Sequence, residues 1–199
     1  RCGLAKSQGV MVRVLMVMGD LRIGGAERLA VDLVRALEGK AAHFVVAAIR
    51  GRGPLADEFR GAGAEVAVPL ADCRFDPRAV LRLSRLIHRR KIDVVIVLNT
   101  LQNGMFYAFL AAGLSARPVS TLCWCHGDYE GRSGILAQLR TYMSLGLADL
   151  AVCISPRQRQ QLLAAGVPAG RIVNIPNGVD VAKFATASPA ELPAPPGKK

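Results

Sequence analysis

The chain has 199 residues, of which 51% are hydrophobic and 21% charged, and its formal charge is +11. That is enough for one well-cored domain and too little for two of ordinary size, and the balance excludes a disordered polypeptide. No apolar run reaches the roughly 18 residues of a membrane span, and aromatic residues at 5% without a base-reading motif weigh against nucleic acid as the anionic partner that the charge asks for.

Residues 1–10 lack the apolar core of a signal peptide and read as an extension. Five cysteines, an odd number, with no secretory signal point to free thiols in a reducing cytosol. The pattern of a folded domain starts at Met11 and runs to residue 184, and the Pro- and Ala-rich residues 185–199 read as a linker.

Residues 12–18 form a short, β-branched apolar run, as in a strand buried on both faces. From Ala26, helical spacing places Ala26, Leu29, Ala30, Leu33 and Leu37 on one face. Between strand and helix lies GDLRIGG. A helix start exposes unpaired N–H groups and partial positive charge, so Gly24-Gly25 is a candidate site for a phosphorylated ligand; such glycines also serve a sharp bend with no ligand at all. The P-loop is excluded, because Gly25 is followed by Ala26-Glu27. A dinucleotide fingerprint is excluded too: the glycines are misspaced, and the second strand ends in Ala48-Ile49-Arg50-Gly51 where an acid should meet a ribose hydroxyl.

Further strands are expected at residues 43–49, 65–68, 93–98, 118–123, 149–154 and 171–175, and helices at 55–61, from Asp76-Pro77 onward, and at 102–114, 135–147 and 155–166. Asp76 reads as an N-cap with Pro77 in the first helical position, and Ser155-Pro156 repeats that pattern. In the Asp76 helix, Arg78, Arg82, Arg85 and Arg89 share an outward face opposite Ala79, Val80, Leu83, Leu86 and Ile87, an arrangement suited to an acidic membrane surface. Residues 129–134 are polar and glycine-bearing and are expected to form a mobile loop. Cys123 and Cys125 would share one face of a strand; the C-x-C-H run lacks the second ligand pair of a zinc site, so these thiols read as small buried hydrophobes, with no metal.

Apolar strands alternating with helices describe an α/β fold, a parallel sheet covered on both faces. Ligands of such sheets bind beyond the carboxyl ends of the strands. Gly24-Gly25, Asn99-Thr100, His126-Gly127, Ser155 and Asn177 all fall at that edge.

Four segments resemble the N-terminal, Rossmann-like domain of family-4 retaining glycosyltransferases of GT-B fold: Gly24-Gly25-Ala26-Glu27, His126-Gly127, Ala148-Asp149 through Ser155, and RIVNIPNGVDVAKF from Arg171 to Phe184. The resemblance implies two such domains facing each other across a cleft, with a nucleotide-sugar as co-substrate, no further cofactor and no metal. It implies that Gly24 and Gly25 lie against the donor diphosphate or the incoming acceptor, that Asn99 and His126 line the cleft, and that Glu27 caps the loop or touches the acceptor. His126 is the candidate catalytic residue, a positioning group near the transferred sugar more than a general base; Gly24, Gly25, Glu27, Asn99, Gly127, Ser155 and Asn177 are candidate substrate-binding residues.

The family's second domain, which holds most of the donor with a pair of glutamates, has no counterpart in these residues, so the chain alone should bind nucleotide-sugar weakly and turn over little. The expected acceptor is a glycan or a lipid-linked glycan, in a cytoplasmic enzyme peripheral to the inner face of the membrane. A non-catalytic module for a phosphorylated ligand and a sugar-nucleotide epimerase are the alternatives.

Overall fold

The computed structural model describes residues 11–51, 53–68, 70–71, 76–99, 102–127, 129–130, 133–179, 181 and 185. The expected N-terminal extension, Thr100, Asp128, the end of the Arg171–Phe184 segment and residues 186–199 of the tail lie outside them.

The elements are β1 (Val12–Met18), α1 (Gly25–Leu37), β2 (Ala42–Ala48), α2 (Leu55–Gly61), β3 (Glu65–Ala67), α3 (Arg78–Arg90), β4 (Val94–Leu98), α4 (Gln102–Gly113), β5 (Ser120–Cys125), α5 (Ser133–Ser144), β6 (Leu150–Cys153), α6 (Pro156–Ala164) and β7 (Ile172–Asn174). The seven strands form one sheet in the order β3-β2-β1-β4-β5-β6-β7, every pair parallel. This is the α/β Rossmann-like architecture expected. The order turns back between β1 and β4, which opens a crevice where their carboxyl ends diverge.

Strand β1 explains the two layers. Val14, Met16 and Met18 point to one face and pack with Ala30, Val31 and Val34 of α1 and with Leu55 and Phe59 of α2. Leu15 and Val17 point to the other, where Leu83 and Ile87 of α3, Met105 and Phe109 of α4, Leu139 of α5 and Leu162 of α6 complete a second core. Right-handed crossovers dictate this split: connections running from β1 toward β3 lie on one face, and those returning toward β7 lie on the other.

Four local expectations are corrected. Strand β5 runs to Cys125, two residues past the expected end, because Trp124 is in register with Leu98 and Val152, and Cys125 with Cys153. The regular turn of α3 starts at Arg78, yet Asp76 still caps it: its Oδ1 accepts the Arg78 N–H at 2.9 Å, and its own N–H donates to the Tyr107 hydroxyl at 2.9 Å. Arg82 is not part of the free outward face, since the buried Asp76 carboxylate draws it in; its guanidinium donates to the Leu70 carbonyl at 2.7 Å and lies 3.5 Å from Asp76 Oδ2. Helix α5 begins at Ser133, two residues before its expected start; of the expected 129–134 loop, residues 131 and 132 lie outside the described residues, Tyr129 is buried, and Glu130 pairs with Arg157 at 2.6 Å.

Candidate functional site

The loop between β1 and α1 is fixed from below. Leu21 is fully buried in it, and the Leu21 carbonyl accepts the Leu55 N–H at 3.1 Å. Gly53 lies directly on that carbonyl, where any Cβ would collide with backbone. A loop anchored in this way presents the start of α1 in one orientation, so its N–H dipoles need little reorganisation to meet a charge.

Gly24 is the N-cap of α1, in extended backbone, and has no side chain with which to cap the helix. The first N–H groups therefore have no partner within the helix. The two glycines differ in what they do. A Cβ on Gly24 would run into the Glu27 carboxylate, whereas a Cβ on Gly25 would meet nothing within 4 Å. At Gly24 a side chain would need only the Glu27 carboxylate to move aside; Gly25 leaves open space over the first amides of α1.

Glu27 stands in the first turn, where a negative charge is favoured by the helix dipole. Its Oε1 is 3.5 Å from Asn99 Nδ2, a long contact that links the ends of β1 and β4. Asn99 adopts a left-handed backbone, φ 48°, which asparagine tolerates better than most residues, and its N–H donates to the Trp124 carbonyl at 3.0 Å.

His126 follows β5 and packs against Trp124, with ring centroids 4.5 Å apart and the ring planes tilted by 58°. Trp124 packs with Ala26 and Leu98 in the core on the α1 face, so the imidazole and the start of α1 stand on the same side of the sheet. Nε2 of His126 is buried and has no hydrogen-bond partner among the described residues. Burial depresses its pKa to about 4, so the ring is neutral at pH 7 and offers one donor and one acceptor, not a cation. An orphaned buried polar atom costs about 1–3 kcal/mol, a penalty that a ligand hydroxyl could relieve.

The remaining candidates spread along the edge. The Gly127 carbonyl accepts from Gln158 Nε2 at 2.7 Å. The Ser155 hydroxyl is occupied as the N-cap of α6, accepting the Gln158 N–H at 3.2 Å. Asn177 is exposed beyond β7. With strands about 4.8 Å apart, Ser155 lies roughly 14 Å and Asn177 roughly 19 Å along the edge from β1. The structure thus gathers Gly24, Gly25, Glu27, Asn99 and His126, sets Gly127 beside them, and leaves Ser155 and Asn177 outside the group.

Sequence reasoning missed Gln158. It is 6% exposed, and its Oε1 accepts the Ile154 N–H at 2.9 Å while its Nε2 holds the His126-Gly127 turn. Ser155-x-x-Gln158 is a capping-box spacing, the signal that could have found it. Among the described residues the cysteines pack in the core: Cys123, Cys125 and Cys153 are all buried. A hydrogen bond shared with Cys125, together with burial, pushes the Cys123 thiol well above the ordinary range, and burial raises that of Cys153.

No curated protein matches the chain. Among solved structures, Anabaena Alr3699/HepE in complex with UDP and glucose superposes with TM-score 0.70 at 16% identity, over 86% of this chain and 46% of that one. A glycosyltransferase from Rickettsia africae gives 0.70 at 19% identity, over 90% and 47%. A UDP-GlcNAc 2-epimerase from Neisseria meningitidis gives 0.55 at 15% identity, over 82% and 46%. The chain spans a little under half the length of these proteins, and the likeness at such identities is one of fold. The family model described as Glycosyltransferase Family 4 matches residues 23–183, and with that span of its length accounted for, the chain belongs to glycosyltransferase family 4.

Proposed function

We propose that residues 11–184 form one wall of the cleft of a glycosyltransferase that moves a sugar from a nucleotide-sugar to an acceptor hydroxyl, keeping the anomeric configuration. One observation carries the reading: a helix start beneath open space at Gly25 and an unpartnered imidazole nitrogen at His126 share one side of the β1–β4–β5 edge.

As the glycosidic bond breaks, negative charge grows on the departing diphosphate. Fixed N–H dipoles at Gly25 and the first turn of α1 stabilise that charge more than they stabilise the intact donor, and this difference lowers the barrier. Neutral His126 holds the transferred sugar or the acceptor by a hydrogen bond from or to Nε2; with a pKa of about 4 it is a poor general base at pH 7. The donor brings its own leaving group, so the proposed chemistry asks for no resident cofactor.

The proposal places most of the donor-binding surface in a second domain outside these residues, with residues 185–199 leading toward it. That agrees with the chain's spanning under half of the solved structures it resembles. The proposed acceptor is a glycan or lipid-linked glycan of the cell surface, reached from the cytoplasmic side. No helix among the described residues is long and apolar enough to cross a membrane.

The test is product analysis with the longer enzyme and labelled UDP-sugars. Label transferred to an acceptor supports the reading; label returned as an epimerised nucleotide-sugar overturns it. A tight, saturable complex of UDP with the 199-residue chain would contradict the division of the donor site between two domains.

A further inference from the structure

Trp124, the single tryptophan of the chain, is the last residue but one of β5, in register with Leu98 of β4 and Val152 of β6. Side chains alternate between the faces of a strand. Cys123 and Cys125 therefore enter the core beneath α4, α5 and α6, while the indole of Trp124 turns to the α1 face and packs on the core that includes Leu98. His126 has the same parity as Trp124, and its imidazole meets the indole with ring centroids 4.5 Å apart. Nε2 of that imidazole is buried without a hydrogen-bond partner among the described residues, so packing decides where this nitrogen points. The backbone of Trp124 has a second task. Its carbonyl accepts the Asn99 N–H at 3.0 Å, at the point where Asn99 takes its left-handed backbone and approaches Glu27.

We infer that Trp124 is a positioning residue for the sugar transfer: its ring holds the His126 imidazole at the edge of the sheet, and its carbonyl holds Asn99 beside it. The inference rests on the proposed function, since it deepens the part given there to His126. An indole suits the task because it is large and stiff, with few rotatable bonds to order, and because aromatic rings in contact prefer defined geometries. A hydrogen-bonding group already in place when the substrate arrives acts at full strength, whereas one free to turn must first be ordered. Removing the indole leaves the backbone ladder of β5 intact and opens the imidazole to water. The transfer step then slows, while the donor, held mostly by the second domain in the proposal, binds as before.

The experiment joins NMR of the 199-residue chain to kinetics of the longer enzyme. In the wild-type chain, nuclear Overhauser contacts between the indole and the His126 ring protons are expected, a reading that needs no variant. In W124L the His126 resonances should lose the indole ring current, and the imidazole should titrate closer to the ordinary 6.5 than to the value of about 4 that burial sets. In the longer enzyme W124L should lower kcat roughly tenfold or more, with KM for the nucleotide-sugar within about twofold of wild type. W124F, which keeps a ring, should recover most of the rate, and thermal melting shows which variants are folded. A residue that acts through His126 adds little once His126 is gone, so W124L should cost little further in H126Q. Wild-type kcat in folded W124L, a W124L loss in H126Q as large as in wild type, or no contact between the two rings in the wild-type chain would overturn the inference and leave the proposed function standing. Full activity in H126Q alone would overturn both.

Discussion

Gln158 donates from Nε2 to the Gly127 carbonyl at 2.7 Å, tying the first turn of α6 to the loop that carries His126. The same amide accepts the Ile154 N–H, so one buried side chain sets the spacing between the ends of β5 and β6.

Gln158→Leu keeps the volume and removes both bonds, leaving a carbonyl and an N–H unsatisfied. The expected loss is about 1–3 kcal/mol of stability, read as a lower urea midpoint at unchanged slope. In the longer enzyme turnover should fall as well, since the His126 ring loses its support, and Gln158→Glu should restore only the contact to Ile154. A Gln158→Leu midpoint equal to wild type would show that water replaces the amide.

The two glycines of the loop should respond differently to alanine. Gly24→Ala displaces the Glu27 carboxylate, so both the melting temperature and the contact with Asn99 should change. Gly25→Ala meets no protein atom within 4 Å and stands at the first helical position, so stability should stay within about 0.5 kcal/mol. Its methyl nonetheless enters the space over the amides, and activity of the longer enzyme should drop by an order of magnitude or more. Full activity in Gly25→Ala would mean that this space is not used.

His126 gives a pH signature. Its folded pKa of about 4 lies below the ordinary 6.5, so between those values the unfolded chain binds more protons than the native one. Stability is therefore complete above pH 6.5 and declines as pH falls toward 4, with no further loss below it. Because the ring is only half-buried, solvent screening reduces the effect to about 1–2 kcal/mol. Urea midpoints across this range should fall more steeply in wild type than in His126→Gln; parallel curves would contradict the burial of the imidazole.

Much of this was legible before any coordinates. Continuous apolar runs such as residues 14–18 and 94–98 are most readily satisfied inside a covered parallel sheet, and the order of strands and helices then fixes which edge collects Gly24, Asn99 and His126. Legibility ended where the answer depends on a partner distant in sequence. Trp124 and Cys125 are strand residues because Leu98, Val152 and Cys153 sit beside them, a pairing that the polar residues directly after them, His126-Gly127, hide. Arg82 shares its periodicity with Arg85, yet Asp76 and Leu70 claim it. Gly24 and Gly25 are the same letter, and only the fold separates a glycine beside the Glu27 carboxylate from one that faces open space.

The most direct measurement is a backbone-amide and imidazole NMR titration of the 199-residue chain with UDP. The account predicts weak, fast-exchange shifts concentrated at Gly24 to Glu27, at Asn99 and on the His126 ring, and reduced in Gly25→Ala. Shifts that bypass α1 and the His126 ring and gather at another part of the molecule would contradict it.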